Sequence, residues 1–84
     1  MYDIVFDEKA IDFLEKLDKN TKVRIFKKIL STKKNPLRYF EKLTKRDLYK
    51  LRIGDYRVIA DIDKKDIKIL IVFIGHRKNI YEKI

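Results

Sequence analysis

The chain of 84 residues sets 22 Lys and Arg against 13 Asp and Glu, for a formal charge of +9, and has no cysteine and a single histidine. This length supports one modest core in a single domain over residues 1–84, and the lack of cysteine excludes a disulfide framework and any Cys-ligated metal. No stretch approaches the roughly 20 apolar residues of a membrane span, and "MYDIVFDEKA" lacks a signal-peptide pattern, so a cytoplasmic protein is expected, drawn by its charge to nucleic acid or an acidic protein.

Residues 2–6, "YDIVF", read as a short first strand, and Asp7 stands where an N-cap belongs, ahead of Ala10, Phe13, Leu14 and Leu17 at helical spacing. A break at Asp18-Lys19-Asn20 leads to a second helix whose apolar stripe is Val23, Phe26 and Leu30, widened by Ile25 and Ile29 and stopped by Asn35-Pro36. Residues 37–46, "LRYFEKLTKR", read as a loop or single turn in which Leu37, Tyr39, Phe40 and Leu43 cover the core edge. The basic residues of this segment, Arg46 among them, are free to meet a ligand.

The segment "LYKLRIGDYRVIADI", residues 48–62, carries the strongest local signal. Gly54-Asp55 between strand-like runs predicts a tight hairpin that pairs Ile53 with Tyr56, Arg52 with Arg57, Leu51 with Val58 and Lys50 with Ile59. One face then carries Tyr49, Leu51, Ile53, Tyr56, Val58 and Ala60, and is apolar throughout. The other carries Lys50, Arg52 and Arg57 beside Leu48 and Ile59. Like charges directly opposite one another are destabilising, so three cations kept in one small area point to a polyanion such as RNA.

"DKKD" at 63–66 reads as a second turn and "IKILIVFI" at 67–74 as a buried strand. Pairing Ile62 with Ile67 places Ile67, Ile69, Ile71 and Phe73 on the apolar face, sets Lys68 opposite Asp61, and leaves Leu70 and Val72 on the basic face. The helices and the sheet each have one apolar side to cover. The fold expected is therefore α+β, with two N-terminal helices on one face of a mainly antiparallel sheet in the order β-α-α-β-β-β. Continued alternation past Gly75 puts Arg77 on the core side, so bringing it beside Arg52 and Arg57 requires a bend at Gly75.

The chain offers no Gly-rich phosphate loop, no His pair and no Ser/His/Asp set, which leaves NTP hydrolysis, His-based nuclease chemistry and acyl transfer without candidate residues. Asp61, Asp63 and Asp66 fall in and beside a turn, where Asp is favoured for local reasons. Of the tyrosines, Tyr49 and Tyr56 belong to the core face. His76 has an intrinsic pKa suited to proton transfer, although a lone His at a strand end more often serves local hydrogen bonding. It heads a second basic cluster, His76-Arg77-Lys78, with Tyr81 four residues beyond Arg77.

With "RIGDYR" and "GHRKNIY" in this order, after a strand and two helices, the chain resembles the RelE/ParE superfamily of small toxins, most closely the RelE-type messenger RNA interferases. The resemblance covers nearly the whole sequence. It implies a RelE-like fold, a cognate RelB-like antitoxin, helical and acidic, and ribosome-dependent cleavage of messenger RNA by attack of a ribose 2′-oxygen on the adjacent phosphate. No metal, small-molecule cofactor or membrane is implied. That reaction needs a proton acceptor, positive charge for the phosphorane and a stabilised leaving oxygen.

By the same resemblance, Arg57 of "DYR" stabilises transition-state charge, Arg77 of "GHR" acts at the scissile phosphate or leaving group, and Tyr81 serves as base or stacks on a base. Lys50 and Arg52 match the basic pair before the turn. A guanidinium does not deprotonate in proteins, so Arg52 is electrostatic, and Tyr81 and Lys50 remain alternative bases with reference pKa values near 10. Lys78, His76 and Arg46 join Arg52 as expected RNA contacts. Two rival functions share the sequence features: a ParE-like inhibitor of DNA gyrase, and a non-catalytic RNA-binding module.

Overall fold

Two aspartates punctuate the N-terminal half. In the computed structural model, which describes residues 1–82 and 84, β1 (Asp3–Phe6) leads to Asp7, whose carboxylate accepts the Lys9 N–H at 3.0 Å and opens α1 (Glu8–Glu15). Asp18 opens α2 (Lys19–Leu30), accepting the Thr21 N–H at 3.0 Å and the Thr21 hydroxyl at 2.6 Å. The expected break at 18–20 is thus displaced to 16–18, because Asp18 starts the second helix by supplying an acceptor to its free N–H groups. The hydroxyl of Thr21, followed by its N–H, holds the Asp18 carboxyl below its ordinary 3.8.

Ile25 and Ile29 of α2 are fully buried, whereas Val23, Phe26 and Leu30 are 39%, 42% and 37% exposed. The five apolar positions span a wider arc than the sheet covers, so the expected central stripe lies at its margin. After α2, Asn35 and Pro36 begin α3 (Pro36–Tyr39), closed by the Phe40 N–H donating to the Pro36 carbonyl at 2.8 Å. β2 (Glu41–Lys42) follows. Segment 37–46 therefore contains a helical turn and a two-residue strand, with Phe40 buried as expected of a core-edge residue.

β3 (Tyr49–Ile53), β4 (Tyr56–Asp63) and β5 (Lys68–His76) complete a five-stranded sheet of order β1-β5-β4-β3-β2. Every pairing is antiparallel except β1 with β5. The β3–β4 hairpin has the expected register from Tyr49 opposite Ala60 to Ile53 opposite Tyr56, including Arg52 opposite Arg57. Gly54 turns it at φ 56°, a backbone region open to glycine. Ala10, Leu14, Ile25 and Ile29 of the helices meet Leu51, Val58, Ala60, Ile69, Ile71 and Ile74 of the sheet in one core. Among the described residues no helix is long and apolar enough to cross a membrane.

The second hairpin departs from expectation twice. Ile62 pairs with Ile69 and Asp63 with Lys68, so the turn takes in Ile67, which is exposed with φ 55°. Lys68 accordingly lies opposite Asp63, and Asp61 faces Leu70. The cause is Asp63, whose carboxylate accepts the N–H groups of both Lys65 and Asp66 at 3.0 Å and so builds a wider turn. Further on, Ala60 pairs with Ile71 while Ile59 pairs with Phe73. Val72 is the extra residue of a β-bulge, which shifts the alternation from Ile74 onward, while Phe73 lies against Lys9 of α1. Ile74, in place of Phe73, joins the core.

Candidate active site

The bulge assembles the site. With alternation reset at Val72, Gly75 lies opposite Arg57 and His76 opposite Tyr56, and the Arg77 N–H donates to the Asp55 carbonyl at 2.8 Å. Arg77 therefore follows Gly75 on the Arg52/Arg57 face, away from the helices. Gly75 itself stays in the strand, so the expected bend there is replaced by a bulge three residues earlier. Glycine is required for a different reason: a Cβ at this position would lie 2.8 Å from Ile80 Cδ1. Ile80 is fully buried against it at the start of a short 3₁₀ turn (Ile80–Glu82). Ile59, expected on the open basic face, is likewise fully buried, and both lie outside the main core cluster. The packing of Ile80 onto Gly75 folds the tail back onto β5, and Tyr81 lines the pocket of the basic face.

Lys50, Arg52, Arg57, Arg77, Lys78 and Tyr81 line one open pocket of about 420 Å³. It holds five cations and a phenol, with no carboxylate in its lining among the described residues. Arg57 is only 8% exposed, and its Nη1 donates to the carbonyls of Gly54 and Tyr56, both at 2.8 Å. A buried charge needs such partners, and these fix the guanidinium beside the hairpin turn. Arg77 Nε lies 3.8 Å from the Asp55 carboxylate in an exposed pair. Lys50 Nζ sits 3.8 Å from Glu41 and 6.0 Å from the centre of the Tyr81 ring, between the two.

Two residues expected near this site lie elsewhere. His76 is on the helix-covered side, edge-on to Tyr56 at 5.8 Å, where its Nδ1 accepts the Lys78 N–H at 3.2 Å. The bulge that admits Arg77 turns His76 away. Arg46 is exposed in the bend before β3 and does not line the pocket. Glu41 and Asp55, the acidic partners of Lys50 and Arg77, escape sequence reading because one sits on a two-residue strand and the other in a turn where Asp is common anyway.

Two further basic clefts adjoin the pocket. One, about 240 Å³, is lined by Lys28, Arg38, Tyr39, Glu41, Lys50, Leu51 and Arg52. Another, more open, runs along Arg24, Lys27, Lys28 and Arg52 by the hairpin turn. Arg52 borders all three. A larger groove, about 640 Å³, is mainly apolar and lies between α1 and α2, walled by Phe6, Ile11, Leu14, Val23, Phe26 and Leu30.

The family model described as the ParE toxin of type II toxin-antitoxin system, parDE, matches residues 4–81. The chain belongs to this toxin family. Its fold is that of the RelE/ParE superfamily: the RelBE2 toxin-antitoxin complex from Mycobacterium tuberculosis is similar with a TM-score of 0.83 and 24% identity, over 90% of this chain and 98% of that one. The intact RelBE complex of E. coli is similar with a TM-score of 0.77 and 22% identity, over 90% and 96% of the two chains. The archaeal RelE-RelB complex from Pyrococcus horikoshii gives 0.75 and 26%, over 90% and 94%. Comparison with curated proteins found no significant match. The ParE-family toxin is thus RelE-like in architecture, as the "RIGDYR" and "GHRKNIY" motifs imply.

Proposed function

We propose that this toxin is an endoribonuclease that cuts messenger RNA on the ribosome by metal-free attack of a 2′-oxygen, and that a RelB-like antitoxin holds it inactive. The observation that carries the reading is the gathering of Arg57, Arg77, Tyr81 and Lys50 around one pocket. In the proposed reaction the 2′-oxygen bonds to phosphorus as its proton passes to the base. The P–O5′ bond breaks and the departing 5′-oxygen takes a proton from water, leaving a 2′,3′-cyclic phosphate and a 5′-hydroxyl. Arg57, held by two carbonyls, faces the charge that develops on the phosphorane, where a preorganised donor is most effective. Arg77 attends the leaving 5′-oxygen.

Tyr81 is the proposed base. Lys50, the alternative, is engaged by Glu41 and presents its ammonium to the Tyr81 ring, which suits it to electrostatic support. Arg52 and Lys78 bind flanking phosphates, and Arg46 is a contact beyond the pocket. His76 takes no part. An acidic amphipathic antitoxin helix suits the apolar groove between α1 and α2, whose charged lining is Lys22, Lys27 and Glu15, on a chain of charge +9.

Membership of the ParE family favours one second reading, inhibition of DNA gyrase without RNA cleavage. Induced expression separates the two. New 5′ ends within messenger RNA support the nuclease, and DNA-damage signalling with intact transcripts supports the gyrase inhibitor.

A further inference from the structure

The candidate active site takes up only part of the basic surface. The neighbouring cleft shares Lys50 and Arg52 with it, so the two adjoin at β3, and an aromatic ring, Tyr39, lines this cleft. Tyr39 is 42% exposed although both ends of its short helix are anchored: Pro36 and Phe40 are buried, and the Phe40 N–H closes the turn onto the Pro36 carbonyl. Lys28 places its ammonium 5.2 Å from the centre of the Tyr39 ring, and Arg38 lines the same cleft. An exposed aromatic on an anchored turn among cations has the composition of a stacking platform for a nucleobase with its phosphates alongside, and the one carboxylate of the cleft lining, Glu41, is paired with Lys50. The cleft bordered by Arg24 and Lys27 is equally basic but has no aromatic in its lining.

We infer that Tyr39, Arg38 and Lys28 form a second nucleotide subsite, which takes a base of the same RNA strand whose phosphate lies among Arg52, Arg57 and Arg77. The inference rests on the nuclease reading for the identity of the strand. Tyr39 stacks on the flanking base, Arg38 and Lys28 receive the adjoining phosphates, and Arg52, at the junction of the clefts, spans the two subsites. Tyr39 is then a positioning residue, since it touches the strand away from the bonds that change.

The test uses oligoribonucleotides blocked by a 2′-deoxy nucleotide at the cleavage position and lengthened one nucleotide at a time on either side, with 2-aminopurine as the added base. In the unmodified toxin chain, the nucleotide that reaches Tyr39 tightens binding by about 5- to 150-fold, the range of one stacked base, and its fluorescence is quenched. Tyr39→Phe keeps both the step and the quenching, and Tyr39→Ala loses both while melting as a folded protein. Arg38→Gln, which leaves the ring in place, lowers the salt slope of the longer oligomer by about 0.7 and leaves that of the shorter one alone. An undiminished step in Tyr39→Ala, or no step with any added nucleotide in the unmodified toxin, overturns the subsite. Transcript mapping keeps the two ideas apart. Cleavage with no Tyr39-dependent step removes the subsite alone, and a Tyr39-dependent step without cleavage removes the nuclease and leaves an RNA-binding site.

Discussion

Arg57 is the residue on which the proposed chemistry turns, and its setting explains why a substitute does poorly. Its guanidinium satisfies two turn carbonyls with one nitrogen, and the proposed reaction gives the rest of the fork to the phosphorane. An ammonium has no planar fork with which to do both. Arg57→Ala is expected to lower the cleavage rate by about 10²- to 10³-fold, and Arg57→Lys to restore little of it, measured by primer extension on translating ribosomes. The opposition of Arg52 and Arg57 was legible in the sequence because a two-residue Gly-Asp turn sets the register and cross-strand partners share a face. The partners of Lys50 and Arg77 were not, because Glu41 reaches its lysine through a strand too short to leave a pattern and Asp55 belongs to the turn itself.

Elements, more than single residues, decide whether the pocket exists. Gly75→Ala drives a methyl into Ile80. It is expected to cost about 1–3 kcal/mol in urea unfolding, typical of overpacking, and to reduce cleavage as well by displacing the turn that carries Tyr81. A second expectation concerns acid stability. The Asp18 and Asp63 carboxyls are held below their ordinary 3.8, Asp18 chiefly by the Thr21 hydroxyl and Asp63 chiefly by the Asp66 N–H. Lowered folded values stabilise the fold above about pH 4, and that contribution is lost as the pH falls through them. Asp18→Asn still caps α2 but does not titrate, so its unfolding midpoint is expected to fall less steeply below pH 4 than that of the unmodified chain. The β3–β4 hairpin could be read because polar and apolar residues alternate along it. The bulge at Val72 lies within "ILIVFI", where every residue is apolar and a reversal of facing leaves no trace. Ile67 misled for the same reason, as an apolar residue held in a turn by the side chain of Asp63.

At the scale of the whole molecule, the carboxylate-free cluster of cations and the apolar groove lie on opposite sides of the sheet. The cations gather on the side facing away from the helices and at its α2–α3 edge, and the exposed apolar groove lies between α1 and α2. RNA binding that engages three to five of the pocket cations is expected to weaken with salt at a slope of about −2 to −4 in log-log form, from roughly 0.7 per phosphate on single strands, measured by anisotropy with a 2′-deoxy-blocked oligomer. The α+β class and the packing of two helices on one face were readable from hydrophobic period alone. The side of α2 left open was not, since period does not reveal how wide an arc the sheet covers. The decisive measurement is the mapping of messenger RNA 5′ ends on translating ribosomes supplied with the toxin or with its Arg57→Ala and Tyr81→Phe variants. A functioning pocket gives discrete new 5′-hydroxyl ends with the unmodified chain and far fewer with either variant. Ends that persist undiminished in both variants, or transcripts left whole by a toxin that still arrests growth, would show that these side chains do not cut RNA.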